Sequence, residues 1–411
     1  MTSTEEPTRL SLRGRAVTGG SILDDAVIAF EGDRIAFVGT AEEFAHWPDS
    51  SSHPDVQLPS GATILPGLVD VHCHGAAGGD FPSGDAEAAA RSITFLHASG
   101  TTTLLASLVT ATRADMLSAA TVLADFAERE VIAGIHAEGP FLSTVRCGAQ
   151  DPSLLSAPDP AFVDELVAAA RGQLRTMTYA PELAGSDALV EQLVSHGVLP
   201  SLGHTNADAA TVTSSLDVAV EELSSAGFDG YTERATVTHL FNGMPPMHHR
   251  SPGPVAACLE AAAAGKAVVE LIADGVHLDP AIVRAMFVLL GPEAIVLVTD
   301  SMAATGLPDG QYTLGPQDVV VSDGAARLAE GNSLAGGTAT MLDVVRSAVE
   351  GGVPLEQAVL SATSVPAELV GLTDEVGALG IGFSADAVIV DRHFRLLKVY
   401  RDGVELAPNR G

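Results

Sequence analysis

Lysine is nearly missing from this 411-residue chain: Lys266 and Lys398 are the only two. Against 52 Asp and Glu stand 21 Lys and Arg, a formal net charge of −31. A surface that acidic repels nucleic acid and anionic membrane, so neither is expected as a partner, and an anionic substrate would need a local cluster of positive charge. Aromatic residues make up 4% and tryptophan occurs once, at Trp47, so a core drawn from 46% hydrophobic residues has to be aliphatic. The three cysteines, Cys73, Cys147 and Cys258, are odd in number and far apart. That argues against a disulfide framework and for a reduced, cytoplasmic setting. No apolar run reaches the ~18 residues of a membrane helix, and the polar, acidic start MTSTEEPTRL does not read as a signal peptide.

What the chain does have is alternation of strand-like and helix-like segments. Eight strands are expected near residues 63–73, 102–108, 131–137, 177–182, 198–203, 235–240, 268–273 and 295–299. Helical patterns lie between them in DAEAAARSITFLHASG, TRADMLSAATVLADFAERE, DPAFVDELVAAARG and DPAIVRAMFVLLG, and further helices are expected near 339–350, 354–362 and 364–371. Eight parallel βα units predict an α/β fold, a (β/α)8 TIM barrel, over residues 63–374. The ends, 1–62 and 375–411, alternate apolar and polar residues between turns and predict a small β-sandwich domain built from both termini.

Metal-type side chains recur at the ends of these strands. His72 and His74 lie in VDVHCHG, Glu138 in GIHAEGPF, His204 in SLGHTNA, His239 in VTHLFNG, His277 in IADGVHLD and Asp300 in VLVTDS. A TIM barrel carries its active site at the C-terminal ends of its strands, and imidazole with carboxylate is the ligand set of a hydrolytic zinc or iron centre. His72 and His74 are two apart and point to one face of a strand. Glu138, His204 and His239 make a three-ligand site with a position left for water. Asp300 suits proton transfer to and from that water. His136, inside its strand, reads as a packing residue of the barrel interior, and His46, His53, His97, His196 and His393 as surface or packing residues. His248 and His249 lie in the MHHR loop. FNGMPPMHHRSPGP and NSLAGGTATM add Gly and amide groups to the same face, with Arg250 a cation suited to phosphate.

HAEGPF, GHTNA, THLFNGM, IADGVH, VTDSMAATG and LAGGTATM, in this order, resemble the N-acetylglucosamine-6-phosphate deacetylase family of the amidohydrolase superfamily, from about residue 10 to 405. The resemblance implies a (β/α)8 barrel with a small β-sandwich domain, a homodimer, and hydrolysis of the acetamide of an amino sugar phosphate. It implies one or two divalent metals per chain, Zn²⁺ first and Fe²⁺ among the others. Glu138, His204 and His239 become the main ligands, His72 and His74 those of a second metal, and Asp300 the catalytic acid and base. Ala149, Asn242, Gly243, Arg250, Asp274, His277, Leu334, Ala335 and Gly336 match the family's substrate-contacting segments, with phosphate falling mainly to Arg250. Gln150 stands where relatives often carry a histidine. It can donate a hydrogen bond but cannot carry a proton, and Cys147 lies in the same VRCGAQDP loop.

Two other readings compete. Dihydroorotases, hydantoinases and amino-acid deacylases often bridge two metals with a carboxylated lysine near the fourth strand. That strand here reads TMTYAPE and has no lysine near it, which leaves Glu138 to bridge. A sugar-phosphate-binding protein without catalysis would be expected to have lost Asp300 or the metal triad, and this chain keeps both.

Overall fold

The computed structural model describes residues 8–227 and 233–407. All eight expected barrel strands form: Leu68–Cys73, Thr101–Val109, Gly134–Glu138, Leu174–Tyr179, Leu199–Leu202, Ala235–Val237, Ala267–Leu271 and Ile295–Leu297. They pair in sequence order, each parallel to the next. Both faces of such strands are covered, which is why they read as near-continuous apolar runs; all nine residues of Thr101–Val109 are buried. The first and last strands close the ring just beyond their ends. Cys73 bridges Ser301, Asp300 N–H donates to His72 O at 2.9 Å, and His74 N–H donates to Ser301 O at 2.7 Å. Lower in the same seam the buried Asp70 carboxylate accepts Thr299 Oγ1–H at 2.6 Å. Closure therefore runs through the residues that flank His72, His74 and Asp300.

The intervening helices start where the sequence supplies a side-chain cap. Asp85 accepts from Glu87 and Ala88 N–H ahead of Ala86–Ala98, Asp159 and Asp279 each precede a proline at the first helical position, and Thr340 with Asp343 forms a capping box ahead of Met341–Glu350.

The expected strand over 63–73 is two strands in two sheets. Thr63–Pro66 pairs with Arg9–Thr18 and Ala387–Val390, and Leu68–Cys73 joins the barrel. The chain crosses between sheets at Gly67, where a Cβ would lie 2.0 Å from Thr102 Oγ1. Only glycine allows that approach, and an alternation pattern carries no mark of it. The terminal domain is likewise one mixed eight-stranded sheet rather than two separate ones. It folds over on itself: Phe30 and Tyr400 sit four strands apart in the sheet order yet their rings meet edge to face at 5.6 Å. Leu12, Ile28, Ile64 and Ile389 fill the space between.

A three-stranded antiparallel sheet, Gly310–Leu314, Gln317–Ser322 and Ala325–Leu328, follows the eighth strand and was not expected. Its position beyond Asp300 brings Leu314, and the Ser333–Leu334 segment after it, to the mouth of the barrel.

Candidate metal centre

Six donors converge inside the barrel mouth. His72 and His74 leave the first strand on the same face, as their spacing of two requires. Glu138 ends the third strand, and His204, His239 and Asp300 come from the turns that follow the fifth, sixth and eighth. Those three turns are tight: His204, His239 and Asp300 have φ of 45°, 27° and 48°. Non-glycine residues held there cost about 1–3 kcal/mol each, a cost found mostly at working sites. The six residues are between 0% and 9% exposed.

They form two groups of three, Glu138 with His204 and His239, and His72 with His74 and Asp300, each with its ligand atoms within 4.8 Å of one another. Glu138 Oε1 lies 2.9 Å from Nε2 of both His204 and His239, and its Oε2 lies 3.4 Å from His74 Nε2, so the carboxylate faces both groups. Asp300 Oδ1 lies 3.1 Å from His74 Nε2 and 3.5 Å from His72 Nε2.

The donor chemistry fits a metal. All four histidines turn Nε2 inward, and Nε2 atoms meet in pairs, His72 with His74 at 3.2 Å and His204 with His239 at 3.1 Å. Three of the four are held from behind through Nδ1: His72 by Glu270 Oε2 at 3.0 Å, His74 by Ser107 O at 3.2 Å and His204 by Arg146 O at 2.7 Å. A neutral imidazole donating Nδ1–H keeps a lone pair on Nε2, which is the ligating form. His239 Nδ1 is buried with no hydrogen-bond partner among the described residues.

Burial alone would neutralise these groups, yet the mutual field wins. Burial lowers the His72 and His74 pKa values, but the facing Glu270, Asp300 and Glu138 carboxylates raise them to about 9 and about 10. Burial raises Asp300 and Glu138, and the surrounding imidazoles bring both below the ordinary carboxylate range. Two ionised carboxylates are balanced here by protons on the imidazoles, and a divalent cation would take the place of those protons. His136 takes the packing role expected of it, with Nδ1 at 2.9 Å from Ser107 Oγ and Nε2 at 2.8 Å from Thr178 Oγ1.

Above the donors opens a cavity of about 320 Å³, lined by Ala149, Gln150, Asn242, Gly243, His277, Leu334 and Gly336 together with His74, Glu138, His204, His239 and Asp300. Phe241, Leu314, Ser333 and Gly148 also line it and were not anticipated. Three expected contacts fall elsewhere. Ala335 is fully buried among Met302, Ala303 and Leu314, because the segment alternates and turns only its neighbours toward the cavity. Asp274 stands behind His277, holding Nδ1 at 2.8 Å and accepting the N–H of Val276 and His277. Arg250 lies on an exposed loop with its guanidinium 2.7 Å from His249 Nε2, and among the described residues no Lys or Arg lines the cavity. Cys147 is half-buried beside the cavity-lining Gly148.

Gln150 is 5% exposed and fixed at both ends of its amide. Thr110 N–H donates to its Oε1 at 2.7 Å, so its NH2 faces Glu138 Oε2, at 2.6 Å. Gly243 packs as tightly. At its φ of +60° a Cβ would sit 2.8 Å from His204 Nδ1, the atom that bonds Arg146 O. Gly243→Ala is therefore expected to displace His204 and weaken the metal held with Glu138 and His239 by about tenfold or more, read as metal per chain at graded free metal. Unchanged affinity would show that His204 has slack.

Residues 63–410 match the amidohydrolase family. The chain is 31% identical to the N-acetylglucosamine-6-phosphate deacetylase of Bacillus subtilis, over 91% of each chain. It is also 31% identical to the N-acetylgalactosamine-6-phosphate deacetylase of Escherichia coli O157:H7, over 87% of this chain and 89% of the relative. Among solved structures it resembles a mutant N-acetyl-D-glucosamine-6-phosphate deacetylase of Mycobacterium smegmatis in complex with N-acetyl-D-glucosamine-6-phosphate. There the TM-score is 0.87 at 38% identity, covering 97% of this chain and 99% of that one.

Proposed function

The chain belongs to the amidohydrolase family, and on that premise we propose that it removes acetate from N-acetyl-D-glucosamine 6-phosphate to give D-glucosamine 6-phosphate. The observation that carries the reading is the placement of Asp300, whose Oδ1 lies within 3.5 Å of both His72 and His74 Nε2 at the floor of the cavity. Glu138, His204 and His239 would hold one divalent ion and His72, His74 and Asp300 a second, Zn²⁺ being the ion that suits imidazole and carboxylate best. Such an ion acidifies a bound water to a pKa of roughly 7 and polarises a carbonyl.

The chain's own groups do the rest. Asp300 is held ionised by the surrounding imidazoles, so it accepts the proton of the attacking water and returns it to the departing amine nitrogen. His277, fixed through Nδ1 by Asp274, turns toward the cavity and would donate to the substrate. Gln150 orients Glu138, and Ala149, Asn242, Gly243, Leu334 and Gly336 shape the sugar pocket. Arg250, on the exposed loop that follows the cavity-lining Gly243, would meet the phosphate from outside the pocket. We assign a homodimer and a cytoplasmic setting as parts of the same reading. The dimer is supported by Ile282, Val288 and Leu289, apolar and exposed on the helix Pro280–Leu290. Among the described residues no helix is long and apolar enough to cross a membrane.

Acetate release from N-acetylglucosamine 6-phosphate, its galacto epimer and unphosphorylated N-acetylglucosamine tests this. The 6-phosphate of the gluco sugar is expected to lead the unphosphorylated sugar by about 10²-fold or more in kcat/KM. Equal rates on both would sink the phosphate assignment, and a lead for the galacto epimer would move the reading to that sugar.

A further inference from the structure

The seventh barrel strand carries a carboxylate where its neighbours are apolar: Glu270, 4% exposed, in AVVEL. A buried carboxylate is costly unless it is hydrogen-bonded, and this one is bonded toward both donor groups through a single atom. Oε2 lies 3.0 Å from His72 Nδ1 and accepts His239 N–H at 3.0 Å. We propose that Glu270 is a positioning residue that ties the His72 group to the Glu138 group and makes occupancy of the second metal depend on it.

The chemistry of the contact fixes one tautomer. A carboxylate only accepts, so His72 must donate Nδ1–H, and the proton that a metal displaces is the one on Nε2, whose lone pair then becomes the ligand. That lone pair faces His74 Nε2 at 3.2 Å and Asp300 Oδ1 at 3.5 Å. His74 and His204 are steadied by main-chain carbonyls, which side-chain substitution leaves in place. His72 depends on a side chain. The same oxygen pins the amide of His239, a residue held at φ 27°, so the two groups share one anchor. Their dependence on it is unequal. Leu240 N–H also donates to the main-chain carbonyl of Glu270 at 2.9 Å, and that bond holds the His239 turn whatever residue occupies position 270.

The inference rests on the metal-centre reading but not on the identity of the substrate. Its test counts metal in purified full-length protein, titrated with Zn²⁺ against a competing chelator, with thermal unfolding as the check on folding. Wild type is expected to bind two ions. In Glu270→Ala the weaker, His72-group ion should lose 10–100-fold in affinity while the other changes by about threefold at most. Glu270→Gln should fall between, because an amide oxygen still accepts Nδ1–H but without charge. A merely structural role would lower the melting temperature and leave the ratio of the two affinities where it was, and that result overturns the proposal. Should Glu270→Ala not fold, Glu270→Gln decides: second-ion affinity reduced about threefold or more supports the coupling, and wild-type affinity overturns it. A wild-type chain that takes up one ion would also overturn it, and one that takes up none would remove the metal-centre reading as well.

Discussion

Asp300→Asn is expected to lower kcat/KM for the acetylated sugar phosphate by about 10²–10⁴, the range that a positioned acid–base group contributes. The substitution keeps the shape of the side chain and one oxygen that can face His74, so the ion held by Glu138, His204 and His239 should stay. It removes the group that can take up a proton, and it does so at a residue whose ionised state the imidazoles now enforce. Asp300 also belongs to the His72–His74 group, its Oδ1 being 3.1 Å from His74 Nε2. Two effects must therefore be separated. If Asp300 acts only as a ligand, saturating metal should restore turnover of the variant toward wild type. If it moves the proton, turnover stays low with both sites filled, and the pH profile loses the limb that reports the base. Activity within tenfold of wild type at full metal occupancy would rule out the proton-transfer role.

The sequence order of strand, ligand, helix made the donors legible because a barrel aligns strand ends at one face. Any imidazole or carboxylate placed just past an apolar run is then a candidate, and the pattern found all six donors that the structure brings together. The same rule missed Glu270, which lies inside its strand rather than beyond it; the signal was present as a lone acid among valines and leucines, which burial makes expensive. Motif matching located segments better than side chains. It placed the NSLAGG stretch correctly yet could not tell that Leu334 and Gly336 line the cavity while Ala335 turns into the core, because alternation there follows a loop with no repeating period. Arg250 was assigned on its guanidinium and on the resemblance, and neither encodes the loop's direction; in the folded chain its guanidinium lies 2.7 Å from His249 Nε2, outside the cavity lining. Gly67 and Gly243 show the other limit. Each is set by close approaches, of Gly67 to Thr102 and Asp386 and of Gly243 to His204, across long sequence separations that local patterns do not record.

Removing metal is expected to abolish turnover and to destabilise the chain in a pH-dependent way. In the metal-free protein His72 and His74 have pKa values raised to about 9 and about 10, above the unfolded value near 6.5. A group raised on folding binds protons more tightly in the native state, so its contribution is fully present below about pH 6.5 and is lost as pH climbs through 9 and 10. Above that range the Glu138 and Asp300 carboxylates face neutral imidazoles and repel each other with no cation between them. Metal ligation needs those same imidazoles deprotonated, so apparent affinity rises with pH while the proton-based stabilisation fades. Free metal at 1,000 times its dissociation constant adds about 4 kcal/mol. The melting-temperature gap between loaded and chelated protein should therefore be small near pH 6 and widen steadily toward pH 9, and adding Zn²⁺ back should restore both the gap and turnover. Thermal unfolding across a pH series, with and without chelator, reads this directly. A gap that stays constant with pH would mean that protons and metal do not compete for His72 and His74, and that the ion sits elsewhere.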